Sequence, residues 1–555
     1  MPIFMRLDFR GHFVNKHSSL WDLGYTPVNV SALTTLLQNY PNKTVADQLL
    51  HGFTFGFSLN YTGPRGPVSC KNMVSASENK DQLLGKLNKE IQLGRIVGPF
   101  DVPPFKNFHC SPIGVLPKKQ GGFRLITNLS APRGNSINEF IDPEICSVNY
   151  SSFDQAVNMV QNLGANAQLG KMDISNAFRL LPIRPEDFSL LGFKFLDKYY
   201  VDKCLPMGCA ISCALFEKFS TFLHWSVEQH SNLNSIVHYL DDFLFAGAQG
   251  TGNCSILMDS FQQICYRLGV PLSDEKTEGP TTYIVFLGLG LDSVSTSIFI
   301  PKEKVEALKK DILQIQGKSK VTLKQLQSLA GSLAFVTRAL PAGRTFTCRI
   351  YGLMSGVSKP YHFVRLTREI HSDLQMWLKF LNEFNGTTKF PDLHWESDKN
   401  LHFYSDSSGS VGCGVIFGSS WSYLCWPEEW NTDMKNDITF LEFVPIVLGF
   451  YLWSDKLQNK KLILHVDNLA LVEILNQKTS KNKRVMTFMR ELVLLSLKFN
   501  IQIKAVHISG YRNEIADSIS RLQWRRFRQL APWADCHPYP VPTQFWSLLK
   551  GMSIV

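Results

Sequence analysis

Apolar residues along this chain recur with two different periods, and the changes of period divide it into segments. Within the first 95 residues, leucine and isoleucine recur at helical spacing between Glu78 and Leu93. Residues 111–129 contain two strand-like stretches joined by a Gln-Gly-Gly turn, which predicts a basic hairpin. We therefore expect an N-terminal extension over residues 1–95 and a domain that begins near residue 96.

The middle of the chain alternates strand-like and helical patterns. An apolar strand ends in Asp173, a helical pattern covers residues 210–225, and two apolar strands flank a pair of adjacent aspartates within residues 238–247. Helical periods then dominate from residue 301 to residue 385. This order predicts a mixed α/β domain over residues 96–300 and a helical module over residues 301–385.

The last third of the chain repeats the mixed pattern. A polar, turn-prone stretch at 386–400 reads as a linker, and residues 401–522 follow as a second α/β domain. Strands are predicted in this domain at 401–406, 412–418, 421–426, 462–466 and 502–506, with helices between them. The tail, residues 523–555, opens with arginines interleaved with aromatic residues. The predicted fold class is thus a multidomain α/β protein.

The composition indicates several hydrophobic cores and a binding partner of negative charge. A chain of 555 residues exceeds what one hydrophobic core supports, and 44% hydrophobic residues are enough to build several cores. Lysine and arginine outnumber aspartate and glutamate by 57 to 47. The resulting net charge of +10 favours a polyanion such as nucleic acid as the partner.

The cysteines and the apolar runs give expectations about location. The twelve cysteines include no facing CxxC pairs, and the closest cluster, Cys204, Cys209 and Cys213, is expected to be small buried thiols in a reducing compartment. The longest strongly apolar run, residues 443–453, is too short to span a bilayer, and the first residues lack the apolar stretch of a signal peptide. We expect an intracellular protein of the cytoplasm or nucleus, with no membrane partner.

Three aspartates lie next to apolar strands in the middle of the chain. Phosphoryl transfer is catalysed by two divalent cations that stabilise the attacking and leaving oxygens, and such hard cations bind carboxylates. Asp173 ends an apolar strand, and Asp241 and Asp242 lie between apolar residues that would bury the arms of a hairpin. A pair of aspartates at a turn is usually only a solvated turn, but the apolar flanks favour a metal site here.

The segments KMDISNAF, LPMGCAISCALFEKF and YLDD occur in the order of the palm motifs of reverse transcriptases, which this part of the chain resembles. The resemblance implies a right-hand polymerase fold, with fingers and palm over 96–300 and a helical thumb and connection over 301–385. It also implies that Asp173 and Asp241 ligate both metal ions, with Asp242 as the third acid. The position after Leu-Pro is Met207, where retroviral enzymes have glutamine, so a polar contact from this position is in doubt.

The same resemblance assigns roles to five further residues. Phe178 matches the aromatic steric gate that excludes a ribose 2′-hydroxyl, the alternative being a core phenylalanine. Lys276 matches a lysine proposed to protonate the leaving pyrophosphate. The residues that match those gripping the incoming triphosphate are Lys118, Lys119 and Arg124, with a solvated basic hairpin as the alternative.

A second set of acids lies in the last domain. Asp406 and Asp467 each end a strand, Glu442 is early in an apolar helix, and Asp517 lies in the segment NEIADSISR. Each could singly be a helix cap, because acids after a strand often are. Together their order resembles the D-E-D-D set of ribonuclease H, which holds two metal ions against the scissile RNA phosphate.

His507 precedes the last of these acids by ten residues. The ribonuclease H resemblance implies that it assists proton movement or product release. A histidine that ends a strand is also commonly structural, and the sequence leaves both roles open.

Several long segments extend the resemblance over nearly the whole chain. They include TPVNVSALTTLLQNYP, VTLKQLQSLAGSLAFVTRALPAGRTF and HISGYRNEIADSISRLQWRRFRQLAPWAD, and they are similar to retrotransposons of the DIRS and Ngaro type, the tyrosine-recombinase elements.

This resemblance implies an RNA-directed DNA polymerase with ribonuclease H activity. The expected partners are an RNA template, a DNA primer, an RNA–DNA hybrid and deoxynucleoside triphosphates. The expected cofactor is Mg²⁺, or Mn²⁺, with two ions in each active site. The sequence leaves the oligomeric state undetermined.

Two other readings remain. The chain could be a catalytically idle nucleic-acid-binding protein descended from such an element, which the intact acids of both sites disfavour. It could also be a cellular relative such as telomerase or an intron maturase, which the appended ribonuclease H pattern disfavours.

Overall fold

The chain forms two compact units, Met1–Ile284 and Val285–Val555, in a computed structural model. The structure describes residues 20–118, 121–384, 386–392, 394–430, 432–508 and 513–551. Lys119, one of the predicted triphosphate contacts, lies outside the described residues.

The first unit contains helices and strands in alternation. Its helices are α1 (Val30–Leu37), α2 (Lys43–Phe55), α3 (Val74–Glu78), α4 (Lys80–Gln92), α5 (Phe153–Leu163), α6 (Ser212–Ser231) and α7 (Asn253–Leu268). Its strands are β1 (Val68–Ser69), β2 (Ile96–Phe100), β3 (His109–Cys110), β4 (Ile113–Pro117), β5 (Phe123–Thr127), β6 (Gln168–Asp173), β7 (Gly192–Phe195), β8 (Lys198–Asp202), β9 (Ile236–Tyr239), β10 (Asp242–Gly247) and β11 (Glu278–Thr281). The basic hairpin is therefore β4 and β5, and the predicted helix at 210–225 extends to Ser231.

A four-stranded antiparallel sheet in the order β11-β6-β10-β9 forms the centre of this unit. Phe243 and Phe245 of β10 are fully buried and pack against Phe261 of α7. A Cβ atom at Gly170 of β6 would lie 2.2 Å from the sulfur of Met258, so only glycine lets α7 approach the sheet this closely. The sheet is thereby held rigidly beneath the hairpin that joins β9 to β10.

The N-terminal segment belongs to the same core. Leu33 of α1 and Leu49 and Phe53 of α2 are buried in one cluster with Phe243 and Phe261. Two further sheets complete the unit, one of five strands in the order β1-β3-β7-β8-β2 and the β4–β5 hairpin. The described residues before position 95 are thus part of the folded unit around the central sheet.

A buried arginine joins three parts of the first unit. Arg179 lies in the 3₁₀ helix Ala177–Leu180, directly after β6. Its guanidinium donates to both carboxylate oxygens of Asp202 on β8 at 2.7 Å and to Glu90 on α4 at 2.9 Å. The side chains of Arg179 and Asp202 are only 13% and 9% exposed, so this ion pair is largely removed from water.

The second unit begins with a helical module and ends with a mixed α/β arrangement. Its helices are α8 (Lys302–Gln316), α9 (Leu323–Val336), α10 (Thr345–Met354), α11 (Arg368–Glu383), α12 (Asp398–Leu401), α13 (Thr432–Lys435), α14 (Ile438–Trp453), α15 (Leu469–Gln477), α16 (Lys483–Lys498), α17 (Glu514–Ser520), α18 (Trp524–Leu530) and α19 (Thr543–Gly551). Its strands, of which the first lies across the unit boundary, are β12 (Tyr283–Phe286), β13 (Leu289–Asp292), β14 (Ser297–Phe299), β15 (Lys320–Thr322), β16 (Phe363–Arg365), β17 (Thr387–Lys389), β18 (Trp395–Ser397), β19 (Phe403–Ser407), β20 (Gly412–Phe417), β21 (Ser420–Cys425), β22 (Lys461–Val466) and β23 (Gln502–His507).

Two three-stranded sheets organise the C-terminal part of this unit. Strands β19, β20 and β21 are antiparallel neighbours, whereas β18, β22 and β23 are parallel. Helix α14 is apolar nearly all round and is buried along most of its length. The predicted strands of residues 401–522 are confirmed to within two residues.

Residues 386–400 are more ordered than the predicted linker. Strand β17 pairs with β14, and β18 pairs with β22. The tail is also structured, since α18 and α19 lie within it. Tail residues contact the β19–β21 sheet, because Trp421 donates to the Asp535 carbonyl at 2.8 Å and Ser422 donates to that of Tyr539 at 2.8 Å. In the described part of the chain, no helix has both the length and the apolar character needed to cross a membrane.

We predict that Arg179→Met destabilises the first unit by about 3–5 kcal/mol, because it leaves the Asp202 carboxylate buried without its counter-charge. Urea unfolding of the full chain, followed by fluorescence, measures this loss as a lower midpoint. Lys198→Met is the control, since Lys198 pairs with Asp101 at the surface and both are exposed. Equal midpoints for Arg179→Met and Lys198→Met would contradict the assignment.

Candidate active sites

Three carboxylates lie at one end of the two central strands of the sheet, Asp173 at the end of β6 and Asp241 and Asp242 at the β9–β10 hairpin. Leu240, in the tight turn, has a positive φ of 53°, and the register pairs Asp242 with Asp173 across β10 and β6. The Asp241 carbonyl accepts a hydrogen bond from the Ile174 amide at 3.0 Å, which fixes the hairpin tip to the end of β6. The structure therefore brings together Asp173, Asp241 and Asp242, as the sequence predicts.

Burial and the neighbouring carboxylates raise the pKa values of Asp241 and Asp242. Burial, a hydrogen bond with Asp173 and the charge of Asp241 raise the pKa of Asp242 to about 7. Burial, followed by the charge of Asp173, also raises the pKa of Asp241. The cluster thus holds more negative charge than its surroundings neutralise, which is the property of a cation-binding site.

Lys276 supplies part of the missing positive charge. Its ammonium donates to the Asp173 carboxylate at 2.7 Å. Burial lowers the pKa of Lys276, but the hydrogen bond to Asp173 and the charges of the three aspartates outweigh this effect, so the pKa is raised overall. Lys276 therefore holds its proton next to the carboxylates.

The other predicted residues of this site lie around the hairpin. Arg124 is exposed on β5. Its positive charge opposes the rise in the pKa of Asp241, so it acts on the site electrostatically. Lys118 is exposed, and its amide closes the β4–β5 hairpin by donating to the Gly122 carbonyl. Phe178 is half-buried and meets the Phe216 ring edge-to-face at 5.6 Å. This packing leaves part of the Phe178 ring exposed.

Two supporting networks were not anticipated from the sequence. The Asn138 amide donates to the Gly208 carbonyl at 2.9 Å, and its oxygen accepts from the Ala210 amide at 2.8 Å, which holds the loop before α6. Under the hairpin, the Nδ1 atoms of His224 and His238 lie 2.7 Å apart. Contacts between residues this far apart in the chain carry no periodic signal.

The second set of acids converges from four elements of the second unit. Asp406 lies on β19, Glu442 in the first turns of α14, Asp467 directly after β22 and Asp517 in α17. A Cβ atom at Gly414 of β20 would lie 2.5 Å from Ile519, so glycine lets α17 pack flat on the sheet. The four predicted D-E-D-D residues are close enough for their charges to interact.

Their charges interact strongly. Burial, then the charges of Asp517 and Asp467, raise the pKa of Asp406 to about 6, against the opposing hydrogen bond from Ser520. Burial, then the charges of Asp406 and Asp467, raise the pKa of Glu442 to about 8. As in the first set, the repulsion between these carboxylates indicates an excess of negative charge in a partly buried site.

Three neighbours that the sequence analysis missed hold these acids. Ser520 donates to Asp406 at 2.6 Å. Arg521 donates to one oxygen of Asp517 at 2.6 Å, and Arg526 donates to the other at 2.8 Å. The Asp517–Arg521 pair has the i, i+4 spacing of a helical ion pair, so this contact could have been predicted.

His507 is exposed at the end of β23, in register with Val466, the residue before Asp467. The strand pairing therefore brings this histidine to the same sheet edge as one of the four acids. Its role as a proton carrier stays a prediction.

The donor chemistry of both sets fits hard divalent cations, which prefer carboxylate oxygens. Among the described residues, no three His, Cys, Asp or Glu side chains already meet at metal-ligand spacing. In each set, one of the acids forms an ion pair with basic side chains instead. Asp173 pairs with Lys276, and Asp517 pairs with Arg521 and Arg526. A cation would have to share these carboxylates with the bases or displace them.

Comparison with known families gives one match, over residues 116–291, to the family described as reverse transcriptase (RNA-dependent DNA polymerase). These residues include the first set of acids, Phe178 and Lys276. The second set lies outside the match.

Known proteins show similarity over parts of their length. The chain is 26% identical over 274 residues to the Gag-Pro-Pol polyprotein of human T-cell leukemia virus 3 (strain 2026ND), a match that covers 48% of this chain and 17% of that protein. It is 29% identical over 168 residues to Protein P of duck hepatitis B virus (strain China), covering 30% of this chain and 21% of that protein. The matches thus span about a fifth of these relatives.

The fold is similar to that of a foamy viral protease-reverse transcriptase, solved as its dRH form in complex with ds DNA. The TM-score is 0.50 at 18% identity, over 86% of this chain and 81% of that chain. At this identity the similarity concerns the fold alone, which is that of reverse transcriptases.

We predict that, in EDTA, the second unit becomes less stable as pH rises from about 5 to 8. The folded-state pKa of Glu442, about 8, lies above its ordinary value of 4.5, so folding takes up a proton in this window. The contribution of Glu442 to stability is therefore fully present below pH 4.5 and is lost as the pH rises through 8. Thermal unfolding measures the effect, where 1 kcal/mol corresponds to about 2–4 °C in Tm. Glu442→Gln should flatten the profile, and an unchanged slope would contradict the assignment.

Proposed function

We propose that this chain, which carries a reverse transcriptase domain over residues 116–291, is an RNA-directed DNA polymerase with a ribonuclease H activity in its second unit. The observation that carries the polymerase proposal is the meeting of Asp173, Asp241 and Asp242 at the β9–β10 hairpin, inside the matched segment. The fold shared with a reverse transcriptase that was solved with ds DNA supports it.

In the proposed polymerase site, each residue has a task set by its position. Reverse transcriptases use divalent metal ions, and two Mg²⁺ or Mn²⁺ ions held by Asp173 and Asp241, with Asp242 beside them, would stabilise the charge that develops on the transferred phosphoryl group. Lys276, which holds its proton beside the carboxylates, is placed to give a proton to the leaving pyrophosphate. Lys118 and Arg124 bind the triphosphate of the incoming nucleotide, together with Lys119, the next residue in the sequence.

Selection of deoxynucleotides is assigned to Phe178. The ring is fixed by its edge-to-face contact with Phe216, and it lies in the 3₁₀ helix that follows β6 and Asp173. In this proposal, the ring would clash with the 2′-hydroxyl of a ribonucleotide.

The ribonuclease H proposal depends on a separate observation, the convergence of Asp406, Glu442, Asp467 and Asp517 from four elements. The charges of Asp517 and Asp467 contribute to the raised pKa of Asp406, and those of Asp406 and Asp467 contribute to the raised pKa of Glu442, which supports one shared site. In this proposal they hold two divalent cations against the scissile phosphate of the RNA strand, and His507 at the end of β23 assists proton movement.

The biological setting is proposed from the sequence. The long segments similar to DIRS and Ngaro elements suggest that the substrates are a retrotransposon RNA template, a DNA primer, deoxynucleoside triphosphates and the RNA–DNA hybrid that synthesis creates. The net charge of +10 suits these polyanionic partners.

We predict that Asp241→Asn lowers primer extension on an RNA template by at least about 10²–10³-fold, the loss typical when one electrostatic stabiliser of a transition state is removed. It should leave cleavage of an RNA–DNA hybrid intact, and Asp406→Asn should have the reverse effects. Both assays run on the same preparations measure this, with Asp259→Asn and Asp455→Asn as controls at exposed aspartates of the two units. Loss of both activities in either site variant would refute the assignment of two separate sites.

We predict that Phe178→Ala relaxes discrimination against ribonucleotides by about tenfold to a hundredfold, the range for a pocket that rejects one hydroxyl group by shape. Single-nucleotide incorporation with dCTP and CTP measures the ratio of kcat/KM. Phe178→Tyr keeps the ring and should keep the discrimination. A Phe178→Ala enzyme as selective as the parent would show that Phe178 only packs the core.

A further inference from the structure

Helix α18 follows directly on the element that carries Asp517, and its residues divide into an inner and an outer set. Phe527 is fully buried in a cluster with Ile416, Trp421 and Ile519. Arg528 donates to the carbonyls of Ala534, Asp535 and Cys536 and lies 5.4 Å from the Trp421 ring centroid. These inner residues account for how the helix is held on the sheet.

The outer residues lie towards the surface, although Trp524 and Arg526 also make contacts within the unit. Trp524, Arg525 and Gln529 are exposed, and together with Gln523 and Arg526 they line a shallow cleft of about 550 Å³. We call these five residues the α18 face. Among the described residues, Arg525 has no ion-pair or hydrogen-bond partner for its side chain, so its charge is available to a ligand.

The α18 face is continuous with the D-E-D-D site. Arg526 donates to the Asp517 carboxylate at 2.8 Å, and Arg521 donates to the same group one helix earlier. Arg526 also pairs with Glu514 at 3.5 Å, and Arg525 adds a further positive charge, so arginines border the carboxylates on this side. A polyanion that reaches the carboxylates would meet the arginines of the α18 face at the same time.

Trp524 gives the face a rigid apolar element. One part of its indole packs against Trp421, at 5.6 Å between ring centroids, and against Tyr423, at 4.9 Å, while 38% of the residue remains exposed. An aromatic ring held from behind and flanked by arginines is suited to contact the sugars of a nucleic-acid backbone whose phosphates the arginines bind.

We propose that the α18 face binds the sugar-phosphate backbone of the RNA strand of an RNA–DNA hybrid, next to the D-E-D-D carboxylates. The proposal rests on the proposed ribonuclease H function and extends it to a surface formed by the tail. The arginines bind phosphates, and Trp524 contacts the sugars between them.

Photo-crosslinking of the full chain tests the placement without relying on cleavage. Gln529 is replaced by p-benzoylphenylalanine, and the protein is irradiated in EDTA with a hybrid labelled on either strand. The matched control carries the same group at Lys550, an exposed position on α19, whose Phe545 packs against Tyr451 and Phe488. We expect crosslinks to the RNA strand from position 529 and none above background from position 550. Equal yields from the two positions, or equal yields from position 529 with double-stranded DNA, would overturn the proposal.

A second measurement tests the charge of Arg525. Arg525→Ala should raise the KM for hybrid cleavage about threefold to tenfold at moderate salt and reduce the slope of log KM against log salt by about one, as expected for one lost phosphate contact. Lys550→Ala should change neither value. Identical KM values and slopes for the two variants would overturn the proposal.

The two measurements separate this inference from the proposed function. If the parent protein fails to cleave the hybrid but position 529 still crosslinks to its RNA strand, the ribonuclease H proposal fails and the binding surface stands. If the parent cleaves the hybrid and position 529 gives no crosslink, the binding surface fails and the ribonuclease H proposal stands.

Discussion

Repulsion between carboxylates that the fold holds close together is the constraint on which both proposed sites depend. A buried carboxylate loses its hydration, and a second one beside it adds Coulomb repulsion, so each favours the neutral form. The rise in the pKa of Asp242 to about 7 and of Glu442 to about 8 expresses this cost. A protein retains such an arrangement only if the rest of the fold supplies the stability that the arrangement removes. The excess negative charge then gives each site its affinity for cations.

The surrounding packing supplies that stability by leaving the acids no room to separate. In the first unit, buried aromatic residues of β10 and the close approach of α7 at Gly170 fix the strands that carry the aspartates. In the second unit, the buried helix α14 and the close contact of α17 at Gly414 do the same for the D-E-D-D residues. Asp173 ends β6 and Asp467 follows β22, whereas Glu442 and Asp517 lie within helices. In each case the packing of the element determines where the carboxylate lies.

Acids at strand ends, such as Asp173 and Asp467, have a local signal in the sequence, because an apolar run stops at a charged residue. Glu442 and Asp517 lie within helices and have no such signal, so it was the resemblance to ribonuclease H that indicated them. The strands β17 and β18 could not be predicted, because three-residue strands in a polar stretch carry no period, and they form only because β14 and β22 offer unpaired edges. The contacts of Asn138 with the loop before α6, and of Ser520 with Asp406, also escaped prediction. They join residues at least 70 positions apart, and polar side chains of these types are also common in surface turns.

The bases that pair with the acids link cation binding to substrate binding in the proposed function. Lys276 occupies an oxygen of Asp173, and Arg521 and Arg526 occupy both oxygens of Asp517. These three side chains are 48%, 51% and 40% exposed, so each can turn towards solvent if a cation takes over its charge at the carboxylate, which at Asp173 is only 5% exposed. A cation that replaced these bases at the carboxylates would leave the positively charged side chains unpaired next to the site. A phosphate of the substrate then provides the negative partner that the freed base has lost. In the proposed function, the same side chains would therefore stabilise the acids before the substrate arrives and bind its backbone afterwards.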